Sequence, residues 1–252
     1  MKTMWMKTLA LSACAVMYSH AIFGIGGQWA PALGLAIKGS DQNIAASGSD
    51  SISVKQASAS GLNGMGLKLW IDALPFIDIE ASSNFQYTLY DVSVNGPGSQ
   101  TTPIKFDLPV PILDKPGFAR IMSDVTLLYP FLKLPPVVNL VKVYAGAGIT
   151  HVLATEVINA DFAKKAVAKA TANNNDAAAD TPEEVAAILA KSIKDEGLNS
   201  GIGFHLELGA KIKPPVIPLA AFVDFKYHFL SSMPSAVDGN SLTMEIGGAL
   251  AF

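Results

Sequence analysis

The run SLTMEIGGALAF at residues 241–252 alternates without a break. Leu242, Met244, Ile246, Gly248, Leu250 and Phe252 share one face, and Ser241, Thr243, Glu245, Gly247, Ala249 and Ala251 share the other, which is the period of a β-strand. One face suits lipid and the other suits water. The rest of the chain carries the same pattern. Half of its residues are hydrophobic and its mean hydropathy is positive, yet after the first 21 residues no stretch is apolar for the 18 or so positions of a spanning helix. Apolar content that is high but distributed fits strands that show alternate residues to a bilayer.

Eight alternating runs follow one another, at about 24–38, 60–72, 76–94, 117–133, 138–156, 199–213, 216–231 and 241–252. The connections at 39–59, 95–116, 157–198 and 232–240 are long or polar, whereas Ala73-Leu74-Pro75, Leu134-Pro135-Pro136-Val137 and Pro214-Pro215 are short. Long and short alternate strictly. An even count with short turns at one end and long loops at the other predicts an all-β, antiparallel, up-and-down transmembrane β-barrel of eight strands. A sandwich would not sort its loops this way. A ten-strand count would need a hairpin within 95–116, and Pro103, Pro109, Pro111 and Pro116 argue against it.

The polar faces of these runs form the candidate site. Lys68, Asp72, Asp78, Glu80, Arg120, Asp124, Lys142, His205, Glu207, Lys211, Asp224, Lys226, His228 and Glu245 all fall on the side opposite the apolar residues. An eight-stranded barrel is just wide enough for side chains to fill, so both signs of charge inside predict a cross-barrel network of ion pairs and hydrogen bonds. A narrow channel along that lumen is the functional alternative. Tyr87, Tyr129, Phe131, Tyr227, Phe229 and Phe252 lie near strand ends, where interfacial aromatic girdles form.

Residues 157–198 have a different grammar, with two helical patterns around Asn173-Asn174-Asn175-Asp176. Thr181, Pro182 and Glu184 read as a cap, a first helical position and the end of a capping box. Residues 160–196 are therefore expected to form a helical insertion in the third long loop: a lid, a plug or a surface module.

The N-terminus has Lys2 and Lys7 before an apolar stretch from Leu9 to Tyr18 and ends in Ser19-His20-Ala21, which reads as a signal peptide over residues 1–21. The barrel domain would then be 22–252. A competing lipoprotein box, Leu11-Ser12-Ala13-Cys14, would lipidate Cys14, the only cysteine. Cleavage at residue 21 takes Lys2 and Lys7 from the 18 basic residues and none of the 21 acidic ones, leaving an acidic excess of five. With Arg120 as the only arginine and the lysines scattered, nucleic acid is not an expected partner.

The signal peptide, eight alternating segments, sorted loops and terminal Phe252 together resemble a bacterial outer-membrane β-barrel. The layout is similar to the small OmpA and OmpX barrels, or to an uncharacterised Gram-negative barrel family; the helical third loop departs from the former. The resemblance implies an outer-membrane location, lipid as the surrounding partner, and recognition by the barrel assembly machinery through the last strand, with Leu250 and Phe252 as its signal. It implies a structural or surface-interaction role, with small solutes or an extracellular partner at the loops.

Little in the sequence suggests reaction chemistry. There is no phosphate-cradling glycine loop, no His/Cys metal spacing and no nucleophile elbow, so no catalytic residue, metal or cofactor is expected. His205 and His228 can meet on adjacent strands with Glu207 and Asp224 nearby; a metal site is the alternative there, and lumen hydrogen bonding is the plainer reading. His151 resembles the outward His of barrel enzymes that trim lipid A, but Thr150-His151-Val152-Leu153 lacks their His-x-Ser spacing. A soluble lipocalin-like binder would need the apolar faces turned inwards.

Overall fold

One sheet closes on itself. A computed structural model describes residues 23–47, 50–72, 76–97, 100–104, 115–134, 140–173, 181–195, 198–214 and 217–252. The expected signal peptide therefore lies outside the described residues. In chain order the elements are β1 (Phe23–Trp29), β2 (Ala32–Ile37), β3 (Ser40–Ser47), β4 (Asp50–Gln56), β5 (Ala59–Ile71), β6 (Asp78–Leu89), β7 (Val92–Asn95), β8 (Thr101–Pro103), β9 (Gly117–Leu134) and β10 (Val141–Thr155). Helices α1 (Ala160–Asn173) and α2 (Pro182–Asp195) follow, then β11 (Leu198–Ile212), β12 (Leu219–Leu230) and β13 (Asn240–Ala251).

β1 and β2 each pair with both β5 and β13, so together they make one stave of an eight-stave antiparallel ring, continued by β5, β6, β9, β10, β11, β12 and β13. The eight alternating runs are these eight staves. The first is interrupted at Pro31, which lacks an N–H, but the seam stays tied because Ala30 N donates to Gly64 O at 2.9 Å and Met244 N to Pro31 O at 3.1 Å. The third run is shorter than its pattern suggested. It leaves the ring after Leu89, and Val92–Asn95 belongs to another sheet.

Neighbouring partners trace the stagger of the ring. Phe23 pairs with Ile71, then Ile79, Leu127, Ala147, Leu206, Tyr227, Leu242 and finally Leu33, so one circuit climbs ten residues along the first stave. Such stagger requires strands tilted by roughly 35–45° to the barrel axis. Every residue on that circuit faces outwards, and the outer wall is apolar: Leu67, Val125, Leu127, Ile149, Ile202, Phe204, Leu206 and Leu208 are exposed. Tyr129, Phe131 and Phe252 ring the turn end with Phe23, while Tyr87, Tyr227 and Phe229 lie nearer the loop end. No helix among the described residues is long and apolar enough to cross a membrane. An exposed apolar belt on a closed ring of strands is the architecture that satisfies every backbone group in lipid.

The long loops hold more structure than their sequences announced. The segments at 39–59 and 95–116, expected to be loops, contain β3, β4 and β8, which join β7 in a four-stranded sheet of order β3-β4-β7-β8. Pro103 stands in β8 at the edge of this sheet, where a missing N–H breaks no ladder. α1 packs on β3 and β4, α2 on β7 and β8. The expected capping box is present: Glu184 N donates to Thr181 Oγ1 and Thr181 N to Glu184 Oε2, each at 3.3 Å. Asn159, just before α1, caps it: its Oδ1 accepts from Phe162 N at 2.8 Å, a cap the sequence reading overlooked.

Sheet and helices close over the ring as a cap. Ile52, Val54, Val92 and Val94 of the sheet, and Phe162, Ala163, Val185 and Leu189 of the helices, share one buried cluster with Leu35, Leu62, Phe118, Met122 and Val152 of the barrel mouth. Each large member stabilises by about 1.5–3 kcal/mol, so packing rather than helix propensity seats the cap. Tyr90 sits at the joint, its hydroxyl oxygen accepting from Ile158 N at 3.0 Å, and burial pushes its pKa up to about 12. In the unfolded chain the phenol ionises near 10, so this stabilisation is complete below pH 10 and is lost as pH rises towards 12. Tyrosinate absorbance should show a late-titrating step that loses one phenol in Tyr90→Phe; a late step of unchanged amplitude would place Tyr90 in water.

Candidate functional site: the ion-pair core

Alternation along the tilted staves sends one residue in two into the lumen, and the stagger decides which of them meet. Lys68 of β5 and Lys226 of β12 are the two hubs, both buried. Lys68 Nζ lies 2.8 Å from Glu80 Oε1, 2.5 Å from Asp224 Oδ2 and 2.9 Å from Glu245 Oε2. Lys226 Nζ lies 3.1 Å from Glu80, 3.3 Å from Glu245 and 3.6 Å from both Asp124 and Glu207, and it donates to Ser82 Oγ at 2.8 Å. A hub that touches several carboxylates cannot lose its charge without stranding them.

Polar neighbours take up part of the remaining hydrogen-bonding capacity. Tyr144 Oη donates to Asp224 Oδ1 at 2.5 Å, Asn84 Nδ2 to Glu245 Oε1 at 2.7 Å, and Gln28 Nε2 to Asn84 Oδ1 at 2.6 Å. Towards the loop end Arg120 donates from Nε to Gln86 Oε1 at 2.8 Å and from Nη2 to Ser241 Oγ at 3.1 Å. Towards the turn end Lys142 bridges Asp72 at 2.9 Å and Asp78 at 3.2 Å. Lys211 lies 3.7 Å from Asp72 and stands 3.9 Å over the Trp70 ring. Trp70 meets Phe222 edge-on at 6.0 Å, and these two form a second buried cluster with Ala220, Ala249 and Ala251. His205 is held between Thr126 Oγ1 at 2.8 Å from Nε2 and Thr150 Oγ1 at 2.9 Å from Nδ1.

All fourteen charged and histidine residues marked from the sequence thus point into the lumen; Asp72 and Lys142 keep slight exposure at the turn end. Trp70 and Tyr144 were missed. Both lie two residues from a marked lysine, on the inward register. Leu250 and Phe252 face outwards, and the closing seam is tied by Phe252 N donating to Phe23 O at 2.9 Å and Phe23 N to Phe252 O at 3.2 Å. On the outer wall His151 Nε2 lies 3.0 Å from Ser200 Oγ, a partner on the neighbouring stave rather than two residues along its own.

The glycines inside mark where the core is tightest. A Cβ on Gly209 would run into the Asp224 carboxylate and the Tyr144 ring. Gly209→Ala should therefore destabilise the barrel by about 1–3 kcal/mol, the usual range for overpacking, as read from urea titrations in lipid vesicles. A neutral result would mean the core has slack.

No family model matches the chain, and no curated protein matches it in sequence. Among solved structures it is similar to the outer membrane protein OprG from Pseudomonas aeruginosa, with a TM-score of 0.49 and 13% identity over 93% of this chain and 98% of that one. It is also similar to Neisserial surface protein A, at 0.46 and 12% over 91% and 97%. The attachment invasion locus protein Ail of Yersinia pestis gives 0.40 and 10% over 91% and 96%.

Proposed function

We propose that this chain is a Gram-negative outer-membrane β-barrel with a filled lumen and no enzymatic role, whose work is done by the cap at its loop end in contact with an extracellular partner. The observation that carries this reading is the division of labour along the barrel axis. The lumen is occupied by paired charges with an apolar cluster at each end, while the loops build a sheet and a helical hairpin of their own. A solute path would require open space where Lys68, Lys226 and their carboxylates now stand. The lipocalin-like alternative has the faces reversed, because here the charges point in and the apolar side chains out.

In this reading the turn end faces the periplasm and the cap faces outwards, and the last strand, with Leu250 and Phe252, is what the assembly machinery reads. The single cysteine, Cys14, lies within the expected signal peptide, which makes topology easy to test. Lys55→Cys, exposed on the cap sheet, should react with a membrane-impermeant maleimide on intact cells, and Phe76→Cys, exposed in the turn after β5, should react only after the outer membrane is opened. The reverse pattern, or equal labelling, would refute the orientation.

A further inference from the structure

Two imidazoles and a carboxylate meet in the lumen at direct spacings longer than ordinary hydrogen bonds. His205 of β11 and His228 of β12 are direct partners in the ladder, with ring centroids 5.3 Å apart. Asp124 comes from β9 and places Oδ1 3.8 Å from His205 Nδ1 and Oδ2 3.4 Å from His228 Nε2. One donor atom from each residue lies within 4.8 Å of the others, and all three residues are buried. N–H···O hydrogen bonds run about 2.7–3.2 Å, so both contacts are long. Ligands on a tetrahedral ion at about 2.0–2.1 Å stand roughly 3.4 Å apart, which these three reach with small movements.

Charge points the same way. The middle of the core sets five carboxylates, Glu80, Asp124, Glu207, Asp224 and Glu245, against two ammonium groups, Lys68 and Lys226. Over the fourteen residues together seven carboxylates face five Lys and Arg side chains. Among the described residues Glu207 has no hydrogen bond to either buried oxygen, its ammonium contacts lying at 3.6 and 4.0 Å, and buried His228 Nδ1 has no hydrogen-bond partner. With every carboxylate ionised the lumen would hold two negative charges in excess, a costly state in a closed, low-dielectric space that protonation or a bound cation must relieve. A dication bound by two neutral imidazoles and Asp124 cancels it.

We propose that Asp124, His205 and His228 form a binding site for a divalent cation of the zinc class, acquired before the barrel closes. Two imidazoles with one carboxylate suit a borderline-soft ion better than calcium or magnesium, which prefer all-oxygen sets. Thr126, on Nε2 of His205, fixes that ring with Nδ1 towards Asp124, the kind of outer support metal-binding histidines use. Thr150 Oγ1, 2.8 Å from Asp124 Oδ1 and 2.9 Å from His205 Nδ1, offers a neighbouring hydroxyl. Lys226, 3.6 Å from Asp124 Oδ2, has its charge shared with Glu80, Glu207 and Glu245.

The test is refolding of the full chain in vesicles with zinc or with cobalt(II), followed by exhaustive dialysis, metal analysis and visible spectroscopy. The proposal expects about one ion per chain and a tetrahedral cobalt spectrum, a content reduced more than about tenfold in His228→Gln, and no change in His151→Gln on the outer wall. Folded wild-type protein that retains no zinc and gives no cobalt band would overturn it, as would equal retention by wild type and His228→Gln. If His228→Gln fails to fold, imidazole nitrogen shifts of the wild type decide. Shifts of metal-bound rings support the site, and shifts of protonated or merely hydrogen-bonded rings reject it.

Discussion

Replacing Lys226 by Met is expected to destabilise the barrel by about 3–5 kcal/mol, the range for removing one partner from a buried ionic cluster. The chain length stays similar, so packing is nearly conserved and the loss is electrostatic. Of the four carboxylates within 3.6 Å of Lys226 Nζ, Glu80, Glu207 and Glu245 would be left with Lys68 as their ammonium, and Asp124 would lose its ammonium contact. The Lys226→Met, Glu245→Gln double variant should recover part of the loss, since it removes one stranded charge along with the hub. Urea titration in vesicles measures both. A single-variant loss below about 1 kcal/mol would mean that water solvates the lumen, because exposed ion pairs contribute no more than that.

Arg at a lipid-facing position should be nearly as damaging, and its cost should depend on depth. Val125 lies between Ala81 and Ile149 on the outer wall, midway between the two ends of the ring. Val125→Arg is expected to cost about 2–4 kcal/mol in phospholipid vesicles, whereas Leu198→Arg at the loop end of β11 should cost about 0–1 kcal/mol. Equal costs at the two positions would place the apolar belt outside a bilayer.

The ring was legible because a two-residue period leaves a trace even where every segment is short and none is uniformly apolar. It was blurred where chemistry interrupts the period: Pro31 splits the first stave, and the third run carried past Leu89 since Val92 and Val94 kept the alternation going after the chain had turned away. The cap sheet was invisible. Asp41, Gln42, Asn43, Ser51 and Ser53 read as solvated loop, and the inward Ile52 and Val54 acquire a meaning only once a helical hairpin covers them. The helices announced themselves through Thr181 and Glu184, but nothing local says that Phe162 and Leu189 join one buried cluster with Phe118 and Met122 of the mouth.

The lumen residues were likewise legible one by one, and their partnerships were not. Which lysine meets which carboxylate is set by the ten-residue stagger, a property of the closed ring that no single strand encodes. Lys68 and Asp224 are 156 residues apart in the chain and 2.5 Å apart in the core. A long stretch of sequence also separates Asp124 from the two histidines, 104 residues in the case of His228. Ladder pairing of His205 and His228 followed from hairpin geometry, whereas the carboxylate between them arrives from another stave.

Single-channel conductance of the refolded chain in planar bilayers tests the filled lumen most directly, with a variant lacking residues 160–196 run beside it. A lumen blocked by its own side chains predicts silence from both, with heat-modifiable gel mobility showing that each is folded. Stable conductance, above all conductance that rises when the helices are removed, would contradict the filled core and make the cap a gate.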